Sequence, residues 1–167
     1  MSEFDDDGLV ERADAFVGAF GLIRTQDEDS IRYLAVEEDD CLDFVRAVRG
    51  EGEGYRDAID RTVAARLGLR RGKDYIVSSV PRSHLNSRLC GGKLGRGEDT
   101  PIWYVCQFFV VNLFGREGRE RISNRTDVRW LSPRDVYRGH GPDGTPLRED
   151  LRQLLKMADA VPADELA

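Results

Sequence analysis

Nowhere in the chain does an apolar run approach the roughly 20 residues that a membrane-crossing helix needs, so no spanning helix is expected. The first residues, Met1 to Asp7, are acidic where a secretory signal is basic and then apolar, and the expected compartment is the cytoplasm. Cysteine is scarce. Cys41, Cys90 and Cys106 lie far apart with no CxxC spacing, which argues against a disulfide framework and a structural zinc site. Lysine is scarcer than arginine by a wide margin, with only Lys73, Lys93 and Lys156, and the formal net charge is −6. That sign disfavours general binding to a phosphate backbone, so a nucleic-acid partner is not expected. The only two histidines, His84 and His140, are isolated, and no Ser-His-Asp or Cys-His arrangement has a local context.

What is present is an ordinary globular composition: 167 residues, 40% hydrophobic and 34% charged. That is the size of one domain able to bury a core without disulfides or a structural metal. The expected organisation is a flexible acidic leader over 1–14, a single domain over 15–160 and a short tail over 161–167. Ala15 to Thr25 reads as a strand that can be buried on both faces, and Ile31 to Val36 alternates and should pair with it as a hairpin. A third apolar stretch, Cys41 to Val48, runs into Gly50, Gly52 and Gly54, which lead a helix from about Tyr55 to Leu67 closed by Gly68. Lys73 to Val80 reads as a strand stopped by Pro81. Arg82 to Leu89 continues the sheet or lies along its edge, and Cys90 to Pro101 is glycine-rich and charged like a surface loop. Trp103 to Phe114 is the most apolar run and should form a central strand. Arg116 to Thr126 reads as a charged connection and Val128 to Leu131 as a short strand. Ser132-Pro133 has N-cap chemistry for a brief helix through Tyr137. Arg148 to Ala160 closes the chain as an amphipathic helix with Leu151, Leu154 and Leu155 on its apolar face. Strands grouped around one glycine-led helix, with a second helix at the end, predict an α+β, layered α/β/α domain with a mixed sheet.

The stretch Ala47 to Leu69, AVRGEGEGYRDAIDRTVAARLGL, resembles the Nudix box, whose pattern is G, five residues, E, seven residues, R-E-U-x-E-E-x-G-U with U aliphatic. Glu53 falls on the first box glutamate, Arg61 on the arginine, Val63 and Leu69 on the aliphatic positions, and Gly68 on the closing glycine. Ala47 replaces the opening glycine, Thr62 the glutamate after arginine, and Ala65 and Arg66 the paired glutamates. The order of the remaining elements is also similar to that family, including Arg129-Trp130-Leu131-Ser132-Pro133 before a short helix. The resemblance covers roughly residues 15 to 160 and implies a Nudix-like fold.

It also implies a chemistry that this sequence has altered. Magnesium is held by oxygen ligands, usually carboxylates with waters and substrate phosphates. Glutamates at 62, 65 and 66, three and four residues apart on a helix, would converge on one face. There the family gathers cations that neutralise a diphosphate and activate a water for in-line attack. Threonine, alanine and arginine do not serve, and a guanidinium beside a cation adds repulsion on the order of 4 kcal/mol at an effective dielectric near 20.

Two readings of Arg66 stay open. In one, its fixed charge stands in for the cation and receives a diphosphate directly; in the other it pairs with a carboxylate such as Glu53 or Asp60. Arg61 reads as a structural partner of Glu53. His84, flanked by Arg82 and Arg88, either helps line a phosphate pocket or is a partly exposed strand histidine. Trp103 and Tyr104 read as core or rim packing before base-stacking groups. Glu53, Asp57 and Asp60 are the residues from which a displaced metal site would have to be built, although acids early in a helix are explained by its dipole. The expectation is a Nudix-like protein without catalytic residues or cofactor, a sensor for a nucleotide-type diphosphate or an adaptor for another protein. Its ligand candidates are Arg66, Glu53, Arg61, His84 and Arg82, and homodimerisation would fit the family. The alternative is a hydrolase of a nucleoside diphosphate derivative using Mg²⁺ at a displaced site.

Overall fold

The computed structural model describes residues 15–27, 30–90 and 101–162. The acidic leader 1–14, most of the glycine-rich segment read as a loop, and residues 163–167 of the tail lie outside them. Strand β1 (Ala15–Asp27) and strand β7 (Pro101–Leu113) run side by side in parallel, registered from Ala15 on Trp103 to Arg24 on Asn112. A parallel pair at the centre must be covered on both faces, which is why both segments read as nearly continuous apolar runs.

Around this spine the remaining strands pair antiparallel. Strand β2 (Ser30–Glu38) forms the expected hairpin with β1, and β3 (Cys41–Asp43) continues outward from β2. Asp39 and Asp40, both at positive φ (53° and 63°), form the two-residue turn between them, a conformation that matches the right-handed twist of a hairpin. The stretch read as one unit over Cys41 to Val48 is two short strands, because β4 (Arg46–Val48) leaves β2's side and pairs with β1 instead. Gly18 makes this crossing possible. A Cβ there would lie 1.9 Å from the carbonyl oxygen of Ala47, so only a residue without a side chain admits β4 at that distance.

Strands β5 (Tyr75–Val77) and β6 (Ser83–Cys90) pair with successive lengths of β7, and β8 (Val128–Leu131) pairs with β2. The strand expected over Lys73 to Val80 is thus confined to three residues: Arg70 to Asp74 is held in a turn by amide bonds to the Arg70 carbonyl, and Ser78 caps its own chain at Val80.

Helix α1 (Tyr55–Leu67) covers one face of the sheet, burying Ala58, Ile59, Val63 and Leu67. Each of the three larger side chains contributes roughly 1.5–3 kcal/mol on burial. Gly68 closes it at φ 64° with its amide on the Ala64 carbonyl, as the sequence predicted. Helix α2 (Arg116–Ser123) adds Ile122 to the same core. This corrects the reading of Arg116 to Thr126 as a plain connection. The helix lacks an apolar periodicity: it is fixed by one buried aliphatic and by Gly118, where a Cβ would come within 2.8 Å of Asp74.

The opposite face is covered by α3 (Pro133–Arg138), capped by a reciprocal Ser132–Asp135 box, and α4 (Glu149–Ala158), which buries Leu151, Leu154 and Leu155. Between α4 and the sheet lies a buried ion cluster. Arg46 forks onto Asp43 at 2.8 Å and reaches Asp150 at 2.9 Å, over the Phe20 ring at 4.7 Å, while the Tyr104 hydroxyl donates to Asp150. Burial alone would raise the carboxyl of Asp150, but hydrogen bonds and charge from Arg46, with charge from Arg148, outweigh it and hold it below the usual carboxylate range. Cys106 lies beneath the same arginine, its thiol pushed up to about 12 by burial, and is inert by that criterion.

Removing the shared cation strips buried Asp43 of the guanidinium that forks onto it and leaves Asp150 with Arg148 and the Tyr104 hydroxyl; breaking a buried pair in this way costs about 3–5 kcal/mol. Arg46→Met is therefore expected to lower the urea unfolding free energy by an amount in that range, whereas Arg116→Met, at a nearly fully exposed i,i+4 pair with Glu120, should leave the unfolding midpoint within experimental scatter of the parent.

Candidate functional site

The chain approaches α1 through the loop Val48 to Gly54, and hydrogen bonds from both ends hold this loop. The Gly50 amide donates to Glu53 Oε1 at 3.0 Å, and the Glu53 amide returns to the Gly50 carbonyl at 3.0 Å. Arg61, two turns into the helix, forks onto the same carboxylate, Nη2 to Oε1 at 2.9 Å and Nε to Oε2 at 3.0 Å. Hydrogen bonds from Arg61 and then from Gly50 lower the Glu53 carboxyl to about 2. The pair therefore latches the loop to the helix.

On the side of α1 away from the core, Thr62 is half-buried, Ala65 is exposed and Arg66 is half-buried. Arg66 takes neither of the partners that its neighbourhood in sequence suggested. Asp60 is six residues away, which on a helix is a rotation of about 240° beyond one full turn, and Glu53 is committed to Arg61. Its Nη2 instead reaches Glu38 Oε2 at 3.0 Å, at the end of β2. Nearby Asp127 is held below the carboxylate range mainly by a fork from Arg125, with a smaller contribution from the charge of Arg66. Two cations here face two carboxylates.

The acids proposed for a displaced metal site do not converge. Asp60 is buried and takes the Tyr75 hydroxyl at 2.6 Å and Arg71 Nε at 2.9 Å, Asp57 is exposed in the first turn, and Glu53 is latched. Among the described residues no group of three His, Cys, Asp or Glu side chains is placed to hold a metal ion.

His84 and Arg82 do not share a pocket. His84 is exposed on β6 and meets the Tyr55 ring edge-on at 6.3 Å, on the α1 face. Arg82 turns to the other face, where its Nη1 donates to the Tyr33 hydroxyl and the Ala160 carbonyl, both at 3.0 Å. Trp103 is half-buried beneath Arg88, and Tyr104 is buried on Asp150. Glu38 and Asp127, which complete the Arg66 environment, carry no local signal in sequence. They come from strand ends 89 residues apart in sequence that β2–β8 pairing brings together.

No protein-family model matches the sequence, and no curated protein sequence matches it. Solved structures do match. NrtR of Shewanella oneidensis superposes with a TM-score of 0.58 at 16% identity over 86% of this chain and 61% of that one. The same protein with a 27-mer DNA gives 0.56 at 16% identity over 85% and 59%. The Ap4A hydrolase of C. elegans gives 0.51 at 11% identity, covering 84% of this chain and 94% of that one. NrtR and Ap4A hydrolase are both Nudix proteins. The chain has the Nudix fold. It spans about three fifths of the NrtR chain.

In the Nudix fold the face of α1 bearing residues 62, 65 and 66 is where magnesium is expected. The residues present do not fit that ion: a hydroxyl, a methyl group and a guanidinium supply no carboxylate, and Glu38, which reaches this face, is paired with Arg66. Ala47, on the opening box glycine, is buried where it pairs with Ala19. The scaffold positions Val63, Gly68 and Leu69 keep their packing or capping roles.

The Glu53 carboxyl is depressed in the folded protein, so it contributes stability above its unfolded value of 4.5 that is lost as pH falls toward about 2. Because Arg61 is more than half exposed, that contribution is at most about 1 kcal/mol. Glu53→Gln is expected to lower unfolding free energy by up to that amount at pH 7, with the difference from the parent closing between pH 4.5 and pH 2 in urea titrations.

Proposed function

We propose that this Nudix-fold protein works by binding rather than by hydrolysis, as a sensor for a nucleotide-type diphosphate that Arg66 receives in place of a metal ion. The observation that carries the reading is the pairing of Arg66 with Glu38, whose side chain is 59% exposed. An exposed ion pair is worth about 0–1 kcal/mol, so a diphosphate can take the guanidinium from Glu38 at small cost. The arginine then offers two parallel N–H donors to phosphate oxygens, a charge-assisted arrangement stronger than neutral hydrogen bonds. Arg125, which is held on Asp127 beside it, is placed to supply a second cation as the incoming charge repels the two carboxylates.

Hydrolysis has no comparable support. Thr62, Ala65 and Arg66 offer no carboxylate on the outward face of α1 to hold the cations that stabilise a developing charge on the leaving phosphate or lower the pKa of an attacking water. The DNA in one NrtR structure belongs to that protein; the formal charge of −6 on this chain gives no reason to extend it here.

Titration with ADP-ribose, a dinucleoside polyphosphate and a nucleoside triphosphate, in EDTA and again in Mg²⁺, tests the reading. Binding of at least one of them in EDTA is expected, weakened about tenfold by Arg66→Ala through loss of a charged hydrogen bond, with no product formed in either buffer. Turnover that requires Mg²⁺ would establish the displaced-site hydrolase instead. Absence of binding by all three would leave the adaptor as the surviving account.

A further inference from the structure

The face of the sheet opposite α1 carries a cleft that the box chemistry does not use. It opens between α3 and α4, has a volume of about 280 Å³, and its floor is the apolar side chains of Val136, Leu155 and Val161. Tyr137 stands at one wall and is 64% exposed. That is a large aromatic surface left in solvent with nothing on the same helix requiring it. Lys156 approaches the ring with its Nζ 5.8 Å from the centroid.

The second cation of the cleft, Arg152, is held by shape. Gly139, at φ 87°, lies under its side chain, and a Cβ there would come within 2.9 Å of Cδ and Nε. With its stem fixed in this way, the Arg152 Nε is buried without an acceptor among the described residues, and its Nη1 lies 3.9 Å from Glu149. A buried N–H without a partner is unfavourable, and here the same guanidinium borders a concave, mostly apolar space. Asp159 lines the cleft too, fixed at the αL end of α4 by its amide bonds to the Leu155 and Lys156 carbonyls.

We propose that this cleft is a binding site for a small aromatic monocarboxylate, with the carboxylate on Arg152 and the flat body against Tyr137 and Leu155. The guanidinium fork matches a carboxylate geometrically, and few precisely placed polar groups in an apolar cleft are the usual form of a small-molecule site. Of the charged residues that line the cleft, Arg152 and Lys156 are cations and Asp159 is a carboxylate, while Glu149, 3.9 Å from the Arg152 Nη1, lies outside the lining, so a ligand of one negative charge competes with Glu149 for Arg152. Asp159 opposes a second, which separates a monocarboxylate from a phosphate dianion. The cleft lies on the α4 side of the sheet and Arg66 on the α1 side, so this site stands or falls independently of the diphosphate reading.

The probe is 2-naphthoate, with 2-naphthalenemethanol as its uncharged counterpart and phenyl phosphate as the dianion, followed by amide chemical shifts in solution NMR and by calorimetry. One-to-one binding of naphthoate is expected, with shifts confined to Val136–Gly139 and Arg152–Val161 and affinity about tenfold above that of the alcohol and of the phosphate. Arg152→Met should abolish the preference for naphthoate over the alcohol. Tyr137→Ser, at an exposed position where folding is not at issue, should weaken both ligands roughly fivefold. Equal affinity for naphthoate and its alcohol, shifts elsewhere on the protein, or unchanged binding by both variants would overturn the proposal.

Discussion

Two strands laid parallel at the centre of a sheet must be covered from both sides, and the remaining architecture follows from how that is done. The β1–β7 pair buries Phe20, Leu22, Phe108 and Val110 toward α4 and Ala19, Ile23, Phe109 and Val111 toward α1. Helix α1 is therefore a lid on a core, and its inward residues are under a packing constraint: truncating a buried Ile59, Val63 or Leu67 leaves a cavity that the surroundings fill only partly. Its outward positions carry no such constraint. The division accounts for the pattern over 47–69, where Val63 and Leu69 are buried and Gly68 caps α1 while Thr62, Ala65 and Arg66 lie on the side away from the core. The fold does not need carboxylates at 62, 65 and 66; only a bound cation would.

Arginine then assumes three different tasks. Arg46 is a structural counter-ion inside the core, tying β4 to α4 through Asp43 and Asp150. Arg61 is a latch at half exposure, setting the loop that enters α1. Arg66 faces outward on a carboxylate that it can exchange. Depth sets Arg46 apart, since a buried pair cannot lose a partner cheaply whereas an exposed pair can. Arg61 and Arg66 differ in geometry instead: Arg61 forks onto both oxygens of Glu53, while Arg66 makes one bond to Glu38, the contact that the proposed ligand role would exchange.

Much of the architecture was legible from local chemistry. Gly54 and Gly68 bracket α1 at the boundaries read from them, Ser132-Pro133 announces α3 through its cap, and the run at Trp103 is the central strand. Features that rest on distant contacts were not legible. Helix α2 has Gly118 in its middle and only Ile122 to bury, so no periodicity marks it. The Arg46 cluster joins residues 104 apart, and Glu38 was invisible as the partner of Arg66 because only the sheet order brings them together. Arg82 and His84, adjacent in the reading as a phosphate-pocket pair, are parted by the bend before β6, which sends them to opposite faces. A glycine inside the apolar run AFVGAF did carry a signal, a close backbone approach, and the Ala47 carbonyl over Gly18 is what it marked.

The account rests on the claim that the outward face of α1 cannot hold a divalent cation. Electron paramagnetic resonance of Mn²⁺, whose free-ion signal disappears on coordination, measures this without any assumption about ligand or substrate. Titrating Mn²⁺ into the protein should leave the free-ion signal proportional to added metal, with no saturable loss, in the parent and in Glu38→Gln alike. A stoichiometric loss of signal that Glu38→Gln or Glu53→Gln abolishes would contradict it.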